Sequence, residues 1–207
     1  MKISKITTVP ENESLIVTGL NINDFLKYLP GRSEKKFLKD QLAKENNTVS
    51  FNFYDRFIIF QLLEDRNPSE NPDLLEELRK AGSKIHSGLI ENDIIHAAII
   101  HESGPCEYAL ALAEGLILSN YQFLKYFSDA VRKRNSFNEL HIYCDKVSDT
   151  EIARLKIITD AVFKTRDLIN EPLSYLTAAK LAEEIKNMGE EAGFYVEILN
   201  KKKIESL

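Results

Sequence analysis

Long apolar runs are missing from this chain. Its longest, Ile94 to Ile100 with His96 inside and Ala109 to Ala113, fall far short of the ~20 residues that span a bilayer, so no membrane association is expected. The start, Met1-Lys2-Ile3-Ser4, lacks the apolar segment of a signal peptide, which makes a soluble, cytoplasmic protein the expectation. Cysteine is scarce too. Cys106 and Cys144 are the only two, and their spacing matches neither a metal knuckle nor a redox motif, in keeping with a reduced compartment. Blocks of one charge are absent: 32 acidic and 27 basic residues are scattered to a net −5, so no surface-wide field attracts nucleic acid. Glycine numbers only eight, which argues against a glycine-rich phosphate cradle.

What is present is 207 residues at 43% hydrophobic, enough for one sizeable core and a further piece. Met1 to Thr8 and Ser14 to Thr18 read as short strands around a Pro10-Glu11-Asn12-Glu13 turn. Asn23 to Leu29 and Ser33 to Leu42 read as helical pieces broken at Pro30-Gly31. Thr48 to Tyr54 alternates, with Val49, Phe51 and Phe53 on one side, and pairs as a hairpin with the apolar run Phe57 to Leu63. Asn71-Pro72 opens a helix, Asn as cap and Pro at the first helical position, with Leu74, Leu75, Leu78, Ile85 and Leu89 as its buried stripe.

Asp93 to Ile100 is apolar on both faces, as a central strand covered by helices should be. Gly104-Pro105 starts the longest predicted helix, whose stripe Tyr108, Leu112, Leu116, Ser119, Phe123 and Phe127 includes Gly115 as a point of close backbone approach. Glu139 to Cys144 alternates as a last strand of the first unit. Ser148 and Glu151 then form a capping box for a helix with Ile152, Leu155, Ile158 or Thr159, Val162 and Ile169 near one face. Pro172 stops that helix, and Thr177 caps another carrying Ala178, Leu181, Ala182, Ile185 and Met188. Paired strands followed by alternating strands and helices predict a three-layer α/β/α domain with a mixed sheet.

The joint Arg166-Asp167-Leu168-Ile169-Asn170-Glu171-Pro172, with Leu176-Thr177 after a short spacer, resembles the start of the catalytic domain in the leucyl aminopeptidase (cytosol aminopeptidase) family. Lys180 to Glu184, Ala192 to Leu199 and Lys201 to Ile204 continue that resemblance in register, and Ala113-Glu114-Gly115 to Leu118 with Tyr121, Phe123 and Tyr126 is similar to a helix of the family's N-terminal domain. The resemblance implies a macro-domain-like N-terminal domain over 1–146, a linker helix over 147–170 and, over 171–207, the start of an incomplete second α/β unit belonging to the catalytic domain. It also implies a hexameric parent with peptide substrates, removing N-terminal residues, leucine preferentially, through two divalent ions, zinc or manganese.

The family's metal motifs, including Asn-Thr-Asp-Ala-Glu-Gly-Arg, are absent from these residues, so no catalytic, metal or cofactor residue is assigned and the chain is expected to be inactive alone. Its expected role is assembly and scaffolding, the alternative being a stand-alone macro-like module for a nucleotide or ADP-ribose.

The residue-level candidates favour bland roles. His96 and His101 should not converge as metal ligands; Cys106 is a small first-turn residue and Cys144 a small core residue; Asp145, Asp149 and Glu151 belong to a loop and a helix start. Ser87-Gly88 and Ser103-Gly104-Pro105 are the candidate phosphate loops, neither glycine-rich. Tyr121, Phe123, Tyr126 and Phe127 read as packing at helical spacing, and Lys201 to Lys203 as a solvated run. Phe194 to Leu199 reads as a strand whose sheet partners would lie past Leu207, leaving it flexible or paired between molecules.

Overall fold

The computed structural model describes residues 1–66, 70–71 and 73–206, which fall into two compact units, Met1–Phe163 and Lys164–Leu207. In the first unit the chain runs β1 (Lys2–Lys5), β2 (Ser14–Gly19), α1 (Asn23–Leu26), α2 (Arg32–Leu42), β3 (Thr48–Asn52), β4 (Phe57–Leu62), α3 (Asp73–Glu91), β5 (His96–His101), α4 (Cys106–Ser119), α5 (Ala130–Lys133) and β6 (Glu139–Tyr143), and enters α6 (Asp149–Asn170). Pro72, the expected first helical residue, lies outside the described residues; α3 begins at Asp73, with the Leu74 N–H donating to the Asn71 carbonyl at 3.1 Å.

The strands form one mixed sheet in the order β1-β6-β5-β2-β4-β3, parallel except for the β3–β4 hairpin. β2, β4 and β5 are apolar on both faces because both faces are covered. One face carries Ile16, Ile59, Ile99 and Ile142 against Ile85 and Leu89 of α3, Leu112 and Leu116 of α4, and Ile152 and Leu155 of α6. The opposite face carries Leu15, Val17, Ile58, Phe60 and Ile100 against Phe25 of α1 and Leu38 of α2. The result is the expected three-layer α/β/α arrangement with a mixed sheet.

Several expectations are corrected. The helix opened at Gly104-Pro105 is not the longest, since α6 has 22 residues and α4 ends at Ser119. Asn120 ends it: its side chain donates to the Phe137 carbonyl at 2.9 Å and accepts from Asn135 at 3.1 Å, tying the chain to the loop before β6 instead of letting it wind on. Phe123 and Phe127 therefore lie on irregular chain; Phe123 rests on Tyr126, Phe127 under the Lys133 ammonium, and both Tyr126 and Phe127 are about half exposed. β5 starts later than Asp93, whose positive φ of 52° turns the chain out of α3. On α6, Ile152, Leu155 and Thr159 are buried while Ile158 and Ile169 are exposed.

In the second unit a turn at Pro172 follows α6, with the Tyr175 and Leu176 N–H groups donating to the Pro172 carbonyl at 2.8 and 2.9 Å. Thr177 caps α7 (Ala178–Ala192), its hydroxyl accepting from the Lys180 N–H as expected, and α8 (Lys201–Glu205) follows. Gly193, at φ 81°, ends α7, and the Phe194 N–H closes back to the Gly189 carbonyl at 2.9 Å. Phe194 to Leu199 is not a strand: it carries no regular secondary structure, and among the described residues of this unit no strand is present to pair with it. Among the described residues, no helix is long and apolar enough to cross a membrane.

The tightest packing in the first unit is between α3 and α4. A Cβ at Gly82 would lie 2.1 Å from the Leu112 carbonyl oxygen, and one at Gly115 would lie 2.0 Å from that of Arg79. Both glycines are thus required by backbone contact, where overpacking costs roughly 1–3 kcal/mol or more. Gly82→Ala and Gly115→Ala should each lower the unfolding free energy by that amount, read in urea as a lower midpoint at unchanged slope, whereas Gly88→Ala, with open space at its Cβ, should be neutral or stabilise by up to ~1 kcal/mol.

Candidate functional site

In an open α/β sheet, the place for a ligand is the crevice at the carboxyl ends of the strands where the strand order reverses. Here that point lies between β2 and β5: after β2 the chain goes on to β4 and β3 on one side, and after β5 to β6 on the other. The turns leaving these two strands, after Gly19 and after His101, face one another there, joined by the Glu102 N–H donating to the Thr18 carbonyl at 2.9 Å.

The side chains at this edge are bonded to one another. His101, only 6% exposed, has Nε2 3.1 Å from the Gly104 carbonyl and Nδ1 2.8 Å from the Thr18 hydroxyl. A carbonyl only accepts, so Nε2 carries the proton and Nδ1 accepts from Thr18. Burial holds the His101 imidazole below its ordinary pKa, against smaller opposing effects of its bond to Gly104 and of the Glu102 charge. Ser103 donates to Asp24 and accepts from the Leu20 N–H at 2.8 Å. Glu102 accepts from the Tyr28 hydroxyl and pairs with the Lys27 ammonium at 2.5 Å. Burial, followed by the Glu102 bond and charge, pushes the Tyr28 phenol far above its ordinary value, so it stays a donor.

This arrangement stiffens two turns and presents two carboxylates against one ammonium. It suits no anion. Of the two candidate phosphate loops, Ser103-Gly104-Pro105 does sit at the switch point, ahead of α4, while Ser87-Gly88 is not a loop at all but lies within α3. Sequence reading passed over Thr18, Asp24, Tyr28 and Glu102, because pattern within a segment cannot show that residues some 80 positions apart share one sheet edge.

The remaining candidates are placed as follows. His96 is exposed at one end of β5 and His101 buried at the other, so they do not converge. Asp149 and Glu151 lie in the first turn of α6, where the Glu151 carboxylate accepts from the Ser148 N–H at 2.8 Å and is held below its usual range by its bonds to Ser148. Among the described residues no three His, Cys, Asp or Glu side chains are grouped to hold a metal ion, so the two ions implied by the resemblance find no fitting donor set here. The reading of Cys106 and Cys144 as two unrelated small residues is corrected: they are joined as a disulfide with Cα atoms 6.3 Å apart.

The lowered His101 pKa has a definite sign. Below the unfolded value near 6.5 the unfolded chain takes up a proton that the folded chain refuses, so stability falls as pH drops from about 6.5 toward the folded pKa, by up to ~1.4 kcal/mol per pH unit. Urea unfolding at stepped pH should show this slope in the wild type, and His101→Gln should flatten that part of the profile while lowering stability at neutral pH.

Comparison with known proteins places this architecture. No family model matches the chain. A cytosol aminopeptidase of Clostridium tetani, named as probable, is 27% identical over 191 residues, covering 89% of this chain and 38% of its own length. One of Persephonella marina, named likewise, is 31% identical over 146 residues, 64% of this chain and 28% of its own. The chain therefore spans well under half the length of these relatives. A solved structure of a tomato leucine aminopeptidase mutant superposes with a TM-score of 0.73 over 100% of this chain and 46% of that one, at 18% identity, which establishes the shared fold. In sequence over most of its length the chain is thus similar to cytosol aminopeptidases, and in fold over all of it to part of a leucine aminopeptidase.

Proposed function

We propose that this chain is the non-catalytic N-terminal portion of a leucyl-aminopeptidase-like metallo-exopeptidase and serves its assembly. The observation that carries this is the likeness to cytosol aminopeptidases over 89% of the chain. The closed state of the switch point supports the scaffolding half of the reading: His101 bonds to Thr18 and Gly104, Ser103 to Asp24, and Tyr28 to Glu102, so these polar groups are engaged within the protein. Residues 1–146 would be the macro-like domain, 147–170 the link, and 171–207 the beginning of the catalytic domain. In the longer protein, two divalent ions, zinc or manganese, held by residues outside this chain, would serve the release of N-terminal amino acids, leucine preferentially, from peptides. The assembled form would be a cytoplasmic hexamer.

A macro-type module for a nucleotide or ADP-ribose is the second reading, and the placement of Ser103-Gly104-Pro105 and the start of α4 at the switch point favours it. Charge opposes it, since a diphosphate there would meet Asp24 and Glu102.

Two measurements on the purified 207-residue chain separate these readings. With zinc or manganese and a leucyl chromogenic substrate, no release is expected, and metal-dependent release would overturn the non-catalytic assignment. Calorimetric titration with ADP-ribose should give no saturable heat; a saturable isotherm would replace the scaffold with the binding module.

A further inference from the structure

Cys106 and Cys144 are 38 residues apart in sequence and meet for a topological reason. β5 and β6 are adjacent and parallel, with Ile100 in register with Tyr143, so the segments leaving them start side by side at one edge of the sheet. Cys144 directly follows Tyr143, and Cys106 opens α4 after the short Glu102-to-Pro105 turn. The Cα separation of 6.3 Å is within the usual span of a disulfide. The two sulfurs differ in access. Cys144 is 4% exposed, in the core cluster with Leu140, Ile142 and Val147, whereas Cys106 is only partly buried. Cys106 also stands in the first turn of a 14-residue helix, where the unbonded N–H groups favour a thiolate.

We propose that Cys106–Cys144 is a reversible thiol–disulfide site, exchanging with the low-molecular-weight thiol–disulfide pool through Cys106, and that it fastens the start of α4 to the end of β6. In closing, the Cys106 thiolate attacks a small disulfide, forming a mixed disulfide and expelling one small thiolate. Cys144, giving up its proton, then attacks the Cys106 sulfur and expels the second. Two protein thiols are oxidised, one small disulfide is reduced to two thiols, and the two cysteine protons end on the leaving thiolates. Opening is the reverse, with a small thiolate attacking Cys106 because Cys144 is covered.

The closed bond joins two segments with distinct duties. Cys106 follows the turn that holds Ser103 against Asp24 and the Gly104 carbonyl against His101. Cys144 precedes buried Val147 and the Ser148–Glu151 capping box that starts α6. Closure therefore adds a covalent tie between the switch-point turn and the root of α6, beyond the β5–β6 ladder that brings them side by side.

The full 207-residue chain would be equilibrated in glutathione buffers from fully reduced to fully oxidised, quenched in acid, alkylated and mapped by mass spectrometry, with thermal melts at both ends. Both thiols should disappear together within one molecule across this range, and reduction should lower Tm by about 5–15 °C. Cys144→Ser should trap glutathione on Cys106, while in Cys106→Ser the remaining Cys144 should react far more slowly. Two free thiols at every ratio, bonds formed between molecules, or a bond that excess glutathione cannot open would each overturn the proposal. So would trapping on Cys144 in preference to Cys106, or an unchanged Tm. The wild-type titration decides the matter even if a serine variant fails to fold.

Discussion

Backbone contact between α3 and α4 is the constraint from which the rest of the first unit takes its geometry. With no side chain at Gly82 or Gly115, each helix lays its main chain against the other, and the Arg79 guanidinium reaches Glu114 at 2.9 Å beside the contact. That closeness lets both helices share one face of the sheet, with Ile85 and Leu89 from one and Leu112 and Leu116 from the other in a single core cluster. It also sets where α4 begins. The turn after β5, the bond from His101 to Gly104 and the position of Cys106 all inherit their places from that seating.

Elements were legible where local pattern and burial agree. The alternation of Val49 and Phe51 against Ser50 and Asn52 marks a strand with one buried side, and the apolar stretch Ala97–Ile100 marks one buried on both. Ser148 with Glu151, and Thr177 ahead of Lys180, announced their helices by side-chain chemistry that the structure repeats. Errors came where a distant partner decides. The aromatic spacing from Phe123 to Phe127 continues a helical rhythm, but Asn120 finds Phe137 and Asn135 and the helix stops. Phe194 to Leu199 alternates like a strand, yet a strand exists only by virtue of a neighbour to bond. Ser87-Gly88 looked like a loop because its residues favour turns, while the buried stripe on either side carries α3 straight through it.

The edge at β2 and β5 was less legible still, since it is assembled from Thr18 to Tyr28 and from His101 to Cys106, two segments that only the sheet brings together. Its chemistry is inward-looking. A buried neutral imidazole with both nitrogens engaged, a phenol kept protonated and a serine spanning two turns make a rigid seam. Family likeness and local chemistry thus speak to different questions: one gives ancestry, the other the work this stretch of chain can perform.

The first strand carries a consequence of timing. Among the described residues β1 pairs with β6 alone, with Lys2 opposite Glu139 and Lys5 opposite Ile142, and the Lys2 ammonium bonded to the Glu139 carboxylate at 2.6 Å. β1 must therefore wait for a partner 137 positions further along the chain, while the β3–β4 hairpin can form as soon as it emerges. Until β6 arrives, Lys2, Ser4 and Lys5 keep that waiting stretch polar enough to stay in water, so the order of synthesis and the order of assembly differ most at the β1 edge of the sheet.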